Sequence, residues 1–145
     1  MRTAAFFGLK RLVIPDNPRA VRPRSATWRV AQGGMSLMDI YVVPNMANFA
    51  RSIDQVGGYK VVGSALSSRA QVLGASALEP SGRDKAIRPP IALVLGNEET
   101  GISRAVEESC THLLRIPGAK DSVQSMNVSA AASVFMWHFF GGSVK

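Results

Sequence analysis

The run Ile91-Ala-Leu-Val-Leu95 is apolar at every position and is bounded by Pro90 and Gly96. A strand with one solvated face alternates apolar and polar residues. An unbroken branched run of this length suits a strand buried on both faces of a parallel sheet. His112-Leu-Leu-Arg-Ile116 reads the same way, less cleanly. Each run is followed by a polar, glycine-containing piece that leads into a helix: Leu95-Gly-Asn-Glu-Glu-Thr-Gly-Ile102 after the first, Ile116-Pro-Gly-Ala-Lys-Asp-Ser-Val-Gln-Ser-Met-Asn-Val-Ser129 after the second. Ligands of open parallel sheets collect at the carboxyl ends of strands, so the two pieces point to one shared site.

The remaining pattern supports a single α/β domain over residues 1–145 with a mainly parallel sheet. Arg2 to Phe7 has helical propensity and Gly8 is a natural stop. Leu12–Pro15 is a short strand, Asp16–Arg24 an arginine-rich loop, and Ser25 the cap of a helix through Gln32, with Gly33 and Gly34 closing it and Trp28 and Val30 as packing residues. Ile40–Val43 is a further strand. Pro44–Val56 reads as an amphipathic helix with Met46, Phe49, Ile53 and Val56 on one face. Tyr59–Val62 returns to the sheet, and Gly63 permits a close backbone approach after it. Residues 64–90 receive no assignment beyond a short helix near Arg69. Ser103 is expected to cap a helix across Arg104–Ser109 that exposes Glu107 and Glu108. The last helix, opened by Asn127 and ended by Gly141 and Gly142, is apolar around nearly its whole circumference, so one flank against a sheet cannot bury it.

Composition narrows the function. The chain carries a net charge of +7, and seven basic residues between Met1 and Met38 stand against Asp16 alone. Phosphate backbones are the commonest partner of such a surface. Pro15, Pro18 and Pro23 prevent the long amphipathic helix that an acidic membrane would favour. No apolar run approaches the roughly 20 residues that span a bilayer, and the expectation is a soluble protein of the cytoplasm. The single Cys110 is read as a small residue near a helix end. His112 and His138 lack a partner pattern for a metal or a triad, so no metal is expected. The Gly96–Gly101 piece lacks the Lys-Ser/Thr of a nucleotide P-loop, and no Gly-x-Gly-x-x-Gly follows a strand.

Gly-Asn-Glu-Glu-Thr-Gly-Ile-Ser from Gly96 and the piece from Ile116 closely resemble motifs 2 and 3 of the SpoU (TrmH-type) branch of the SPOUT methyltransferases, and Arg2–Gly8 looks like the second half of motif 1. The resemblance implies a sheet flanked by helices with a C-terminal deep trefoil knot, S-adenosyl-L-methionine as cofactor, transfer of its methyl group to a ribose 2′-oxygen of ribosomal or transfer RNA, and a homodimer packed through the C-terminal helix. In the family a first strand and a loop carrying an Asn precede the first helix. The expectation is therefore an N-terminally truncated chain, and an RNA-binding protein that keeps the fold without catalysis is the alternative.

Carried over by motif, the resemblance puts Arg2, Glu98, Ser125 and Asn127 at the acceptor side. It puts Gly63, Leu95, Gly96, Asn97, Ile116, Pro117, Ser125 and Met126 around the cofactor. Glu98 can equally cap backbone amides of its own turn, and Ser125 and Asn127 can equally be helix caps. Guanidinium groups stay protonated in proteins, so Arg2 is read as a clamp on a hydroxyl or phosphate and not as a literal base.

Overall fold

The computed structural model describes residues 1–16, 34–74, 89–97, 100–119 and 126–141. The loop 17–24, the helix expected at 25–32 with Trp28 and Val30, Glu98, Ser125 and most of the segment of the expected knot after Ala119 lie outside the described residues. The chain divides into two compact units, one of Met1–Met46 with Ser129–Lys145 and one of Ala47–Val128. Every strand ladder among the described residues is parallel.

In the first unit, α1 (Arg2–Phe6) is followed by β1 (Arg11–Pro15), a 3-10 turn (Gly34–Leu37) and β2 (Asp39–Val43). Gly8 has φ 75, the left-handed conformation that glycine tolerates and that ends a helix. β1 and β2 pair from Arg11 with Asp39 to Pro15 with Val43. Proline has no N–H to give a ladder, and here it occupies the last paired position. The chain bond resumes at Asp16, whose N–H donates to the carbonyl of Val43 at 2.8 Å. The long C-terminal helix, Val128–Phe140, buries Ala132, Phe135, Met136 and Phe139. Their spacing of three, one and three is one helix face. The opposite side carries Trp137, 68% exposed, whose ring meets Phe7 at 6.5 Å, and the exposed His138. The all-apolar composition of this helix is thus met by burial on one face, not all round.

In the second unit the element order is α2 (Met46–Gln55), β3 (Lys60–Ser64), β4 (Gln71–Val72), β5 (Ile91–Val94), α3 (Arg104–Glu107) and β6 (His112–Arg115). The sheet order is β4-β6-β3-β5. β3 is bonded to β5 along one edge and to β6 along the other, and its Val61 and Val62 are fully buried, as is Leu114 of β6. The run Ile91–Val94 was expected to be buried on both faces. It is half-buried at all four positions, because β5 has a bonded neighbour on one edge only among the described strands.

Other expectations are corrected in the same way. α2 starts two residues after Pro44 and buries Ala47 and Ala50. Val56 lies past its end and is 90% exposed, because Gly57 and Gly58, the latter at φ 63, turn the chain away. The segment after β3 forms a turn around Arg69 and then β4, not a helix, since pairing with Leu114 and Arg115 supplies its backbone bonds. α3 is a single turn. Ser103 precedes it in extended conformation without a side-chain cap, its carbonyl accepting from Val106 and Glu107 instead. Glu107 is partly buried and lies 3.7 Å from Arg69, while Glu108 pairs with Arg104 at 2.8 Å. No described helix is long and apolar enough to cross a membrane.

Phe135 is the largest fully buried side chain of the described residues. Phe135→Ala is expected to cost about 3–5 kcal/mol of stability through lost transfer energy and the cavity left behind. Chemical denaturation of the variant and the wild type measures it; a change under about 1 kcal/mol would show that the site is not close-packed.

Candidate functional site

Three strand ends meet along one edge of the four-stranded sheet. Gly63 of β3 is in register with Val94 of β5 and with Leu113 of β6. The chain leaves β5 through Leu95, Gly96 and Asn97, and leaves β6 through Ile116 and Pro117. These two exits flank the central strand, so parallel pairing brings together segments separated by some twenty residues of sequence. Among the residues expected around a cofactor, Gly63, Leu95, Gly96, Asn97, Ile116 and Pro117 therefore share this edge.

The exit from β5 is closed on itself. The N–H of Asn97 donates to the carbonyl of Gly101 at 3.0 Å, and the N–H of Gly101 donates back at 2.8 Å. Gly101 sits at φ 65, a conformation that strains other residues. Gly96 is required for a different reason. A Cβ there would stand 2.6 Å from the carbonyl oxygen of Gly101 and 2.6 Å from the amide nitrogen of Ile102. Main chain cannot yield as a side-chain tip can, so only glycine fits. Peptide groups past the end of a ladder are the ones left to a ligand, and here they are held by backbone, with few side chains involved.

Gly63 was expected to allow a close approach of backbone. Its neighbours are instead side chains: a Cβ would lie 2.9 Å from Cys110 Sγ, 2.9 Å from Leu113 Cδ2 and 3.1 Å from Ile102 Cδ1. Cys110 donates weakly to the carbonyl of Val106 at 3.2 Å. Burial, and then the charge of Glu107, push its thiol up to about 11. A thiol that holds its proton at neutral pH is a poor nucleophile. His112, read as structural, contacts Thr111 Oγ1 through Nδ1 at 3.1 Å, and Thr111 donates to the carbonyl of Val61 at 3.0 Å. Burial and the charge of Lys60 hold this imidazole below its ordinary pKa, against an opposing effect of Asp54.

The acceptor-side residues are less completely placed. Arg2 is the exposed first residue of α1 and belongs to the first unit. Met126 and Asn127 are exposed and immediately precede the C-terminal helix. Glu98 and Ser125 lie outside the described residues. Sequence reasoning passed over Gly101, Ile102 and Leu113. The recurrence of glycine at 96 and 101 was the available signal for the closed loop; nothing local marks Ile102 or Leu113 as its support. Among the described residues no group of three or more His, Cys, Asp or Glu could hold a metal ion.

Comparison with known proteins accounts for this arrangement. The parallel α/β fold is shared with the AdoMet-bound rRNA methyltransferase of Sinorhizobium meliloti, at a TM-score of 0.76 and 22% identity over 99% of this chain and 50% of that one. In sequence, the chain is 29% identical over 141 residues to the 23S rRNA (guanosine-2'-O-)-methyltransferase RlmB of Nitrosomonas europaea, covering 97% of this chain and 49% of the relative. It is 31% identical over 137 residues to the protein of the same name from Ralstonia nicotianae, covering 94% of this chain and 50% of the relative. The chain spans about half the length of the curated relatives it matches. The SpoU rRNA Methylase family model matches residues 1–137, and with that extent the chain belongs to the SpoU rRNA methylase family.

Proposed function

We propose that the protein transfers a methyl group from S-adenosyl-L-methionine to a ribose 2′-oxygen of RNA. The observation that carries this is the glycine-locked exit of β5 standing beside the exit of β6 at the end of β3. Support comes from the family and from relatives whose names state guanosine 2′-O-methylation of 23S rRNA. The cofactor suits the edge: an adenine rim and an amino-acid tail can be met by peptide groups, and the half-buried Leu95 and Ile116 offer apolar surface to a ring. When bound, its sulfonium supplies a methyl group whose displacement needs alignment but no proton for the leaving sulfide.

The chain's own part is therefore positioning. Leu95, Gly96 and Asn97 on one side and Ile116, Pro117 and Met126 on the other hold the donor. Glu98, Ser125 and Asn127 shape the acceptor side. Arg2 grips the 2′-hydroxyl or a neighbouring phosphate and keeps its own proton, a substrate phosphate taking the one released. Arg2, Lys10 and Arg11 are exposed, which supports an RNA partner for the basic N-terminal quarter. A C-terminal knot and a place in the cytoplasm belong to the same proposal. So does a homodimer: the exposed Trp137, on a helix with apolar residues on both sides, and Phe6, 80% exposed, favour cover by a second copy.

Calorimetric titration of the protein with S-adenosyl-L-methionine is expected to show binding at the micromolar level. If neither the cofactor nor its demethylated product binds, the proposal gives way to an RNA-binding protein that keeps the fold. Arg2→Ala is expected to leave cofactor affinity within about twofold while lowering methylation of RNA about 100-fold or more, read as ribose-methylated nucleosides by mass spectrometry. Wild-type turnover in that variant would remove the role given to Arg2. In sedimentation, the wild type is expected to run as a dimer that Trp137→Glu weakens about tenfold or more; a monomeric wild type would end the dimer proposal.

A further inference from the structure

His112 opens β6, opposite Val62 of β3. β4 first pairs at Leu114, so among the described strands none lies along the other side of β6 at His112. His112 lines a cleft of about 360 Å³ there, together with Thr111, Arg69, Gln71, Glu107 and Glu108. Thr111 Oγ1 lies 3.0 Å from the carbonyl oxygen of Val61 and 3.1 Å from His112 Nδ1. A hydroxyl has one proton and a carbonyl has none to give, so the Thr111 hydroxyl donates to Val61. Were it turned to the imidazole instead, two oxygens would face each other at 3.0 Å with no proton between them. The proton between Thr111 and His112 therefore comes from the ring. Nδ1 is the protonated nitrogen, and Nε2 carries the lone pair. The carbonyl of Val61 has two lone pairs and takes the amide and the hydroxyl of Thr111 together. Val61 is fully buried in the central strand, so the sheet sets the direction of this chain of bonds. Burial and Lys60 of β3 favour the singly protonated ring at neutral pH, against Asp54 of α2. Arg69 and, on α3 and its end, Glu107 and Glu108 are the other charged groups around the cleft.

We propose that Thr111 is a positioning residue for His112: by accepting from Nδ1–H it fixes the tautomer and presents Nε2 to the cleft as a hydrogen-bond acceptor for RNA, at a base N–H or a ribose hydroxyl and not at a phosphate. The tautomer stands on the geometry alone. The RNA contact rests on the substrate reading given above, and the character of the cleft supports it. Nε2 and the two carboxylates are acceptors, which repel phosphate oxygens. Arg69, with its side chain 57% exposed and 3.7 Å from Glu107, adds a donor. Base edges present donors and acceptors side by side, whereas a phosphate presents acceptors alone. The volume is within the range of small-molecule sites and admits a base.

Nitrogen NMR of the histidine rings in the full chain at neutral pH tests the tautomer. His112 is expected to show a pyridine-type Nε2 and a pyrrole-type Nδ1; the reverse assignment, or an average of the two, overturns the proposal at its first step. Thr111→Val keeps the shape and removes the hydroxyl, and is expected to release the ring into a mixture of tautomers, while Thr111→Ser keeps the wild-type pattern. An unchanged tautomer in a folded Thr111→Val removes the role given to Thr111. If that variant does not fold, the wild-type Nδ1 proton decides: a slowly exchanging resonance in contact with Thr111 supports the pairing, and its absence overturns it. Titration with a short mixed-sequence RNA oligonucleotide is expected to move the Nε2 resonance, and titration with inorganic phosphate to leave it in place. Thr111→Val is expected to weaken binding of that oligonucleotide about threefold, the loss of one well-placed acceptor, and Thr111→Ser to restore it. RNA that binds without moving Nε2, or phosphate that moves it equally, overturns the contact. A wild type that binds no RNA overturns the substrate reading and the contact together, and the ring spectrum then decides the tautomer by itself.

Discussion

β3 has hydrogen-bonded neighbours on both edges, and Val61 and Val62 are out of contact with solvent. Its interior position follows from the cost of leaving strand N–H and C=O groups unpaired away from water. Once β5 and β6 are laid along it in parallel, their carboxyl ends must stand on either side of Gly63. Thr111 strengthens the join by donating both its amide and its hydroxyl to the carbonyl of Val61, at 2.9 and 3.0 Å. The candidate site therefore depends on a strand that contributes little to it beyond a glycine.

Side chains of Cys110, Leu113 and Ile102 meet that glycine, whereas the neighbouring exit of β5 is built mostly of main chain. Gly96 is fixed by the backbone of Gly101 and Ile102 lying where its side chain would be, and Gly101 by its left-handed conformation. A site built from peptide groups suits a reaction that asks for alignment more than for acid or base. The titratable groups near this edge agree with that division of labour. Cys110 holds its proton because it is buried beside Glu107, and His112 is held toward its neutral form by burial and Lys60. The Cys110 thiol is thus poorly prepared as a nucleophile, and His112 is engaged with Thr111 beside β3.

The first unit meets a different constraint. Its C-terminal helix carries more apolar surface than one buried face can use, and the surplus is concentrated in Trp137, with Phe6 of α1 exposed as well. Large aromatic side chains left in water are costly by roughly 1.5–3 kcal/mol each relative to burial. The same unit presents Arg2, Lys10 and Arg11 to solvent. Apolar and basic surface thus occur together in one unit, and the proposed self-association and RNA binding would each draw on one of them.

The amino-acid sequence by itself determined the class of fold, the approximate place of every described strand except β4 and the adjacency of both motifs to strand ends. Continuous apolar runs, proline and glycine act over a few residues, so Ile91–Val94, His112–Arg115 and the β3 segment were legible within a residue or two. The motif resemblance also pointed to the family, whose model covers residues 1–137. Only the tertiary structure decided that β3 and not the Ile91 run is central, because pairing order depends on contacts between distant segments. It decided likewise that Arg69 precedes a strand, whose bonds come from β6, and that Val56 points to solvent, where Gly57 and Gly58 carry the chain out of α2. The contact of Ile102 with Gly63 was invisible for the same reason: the two stand 39 positions apart, and no local periodicity records which side chain will fill the space that a glycine leaves.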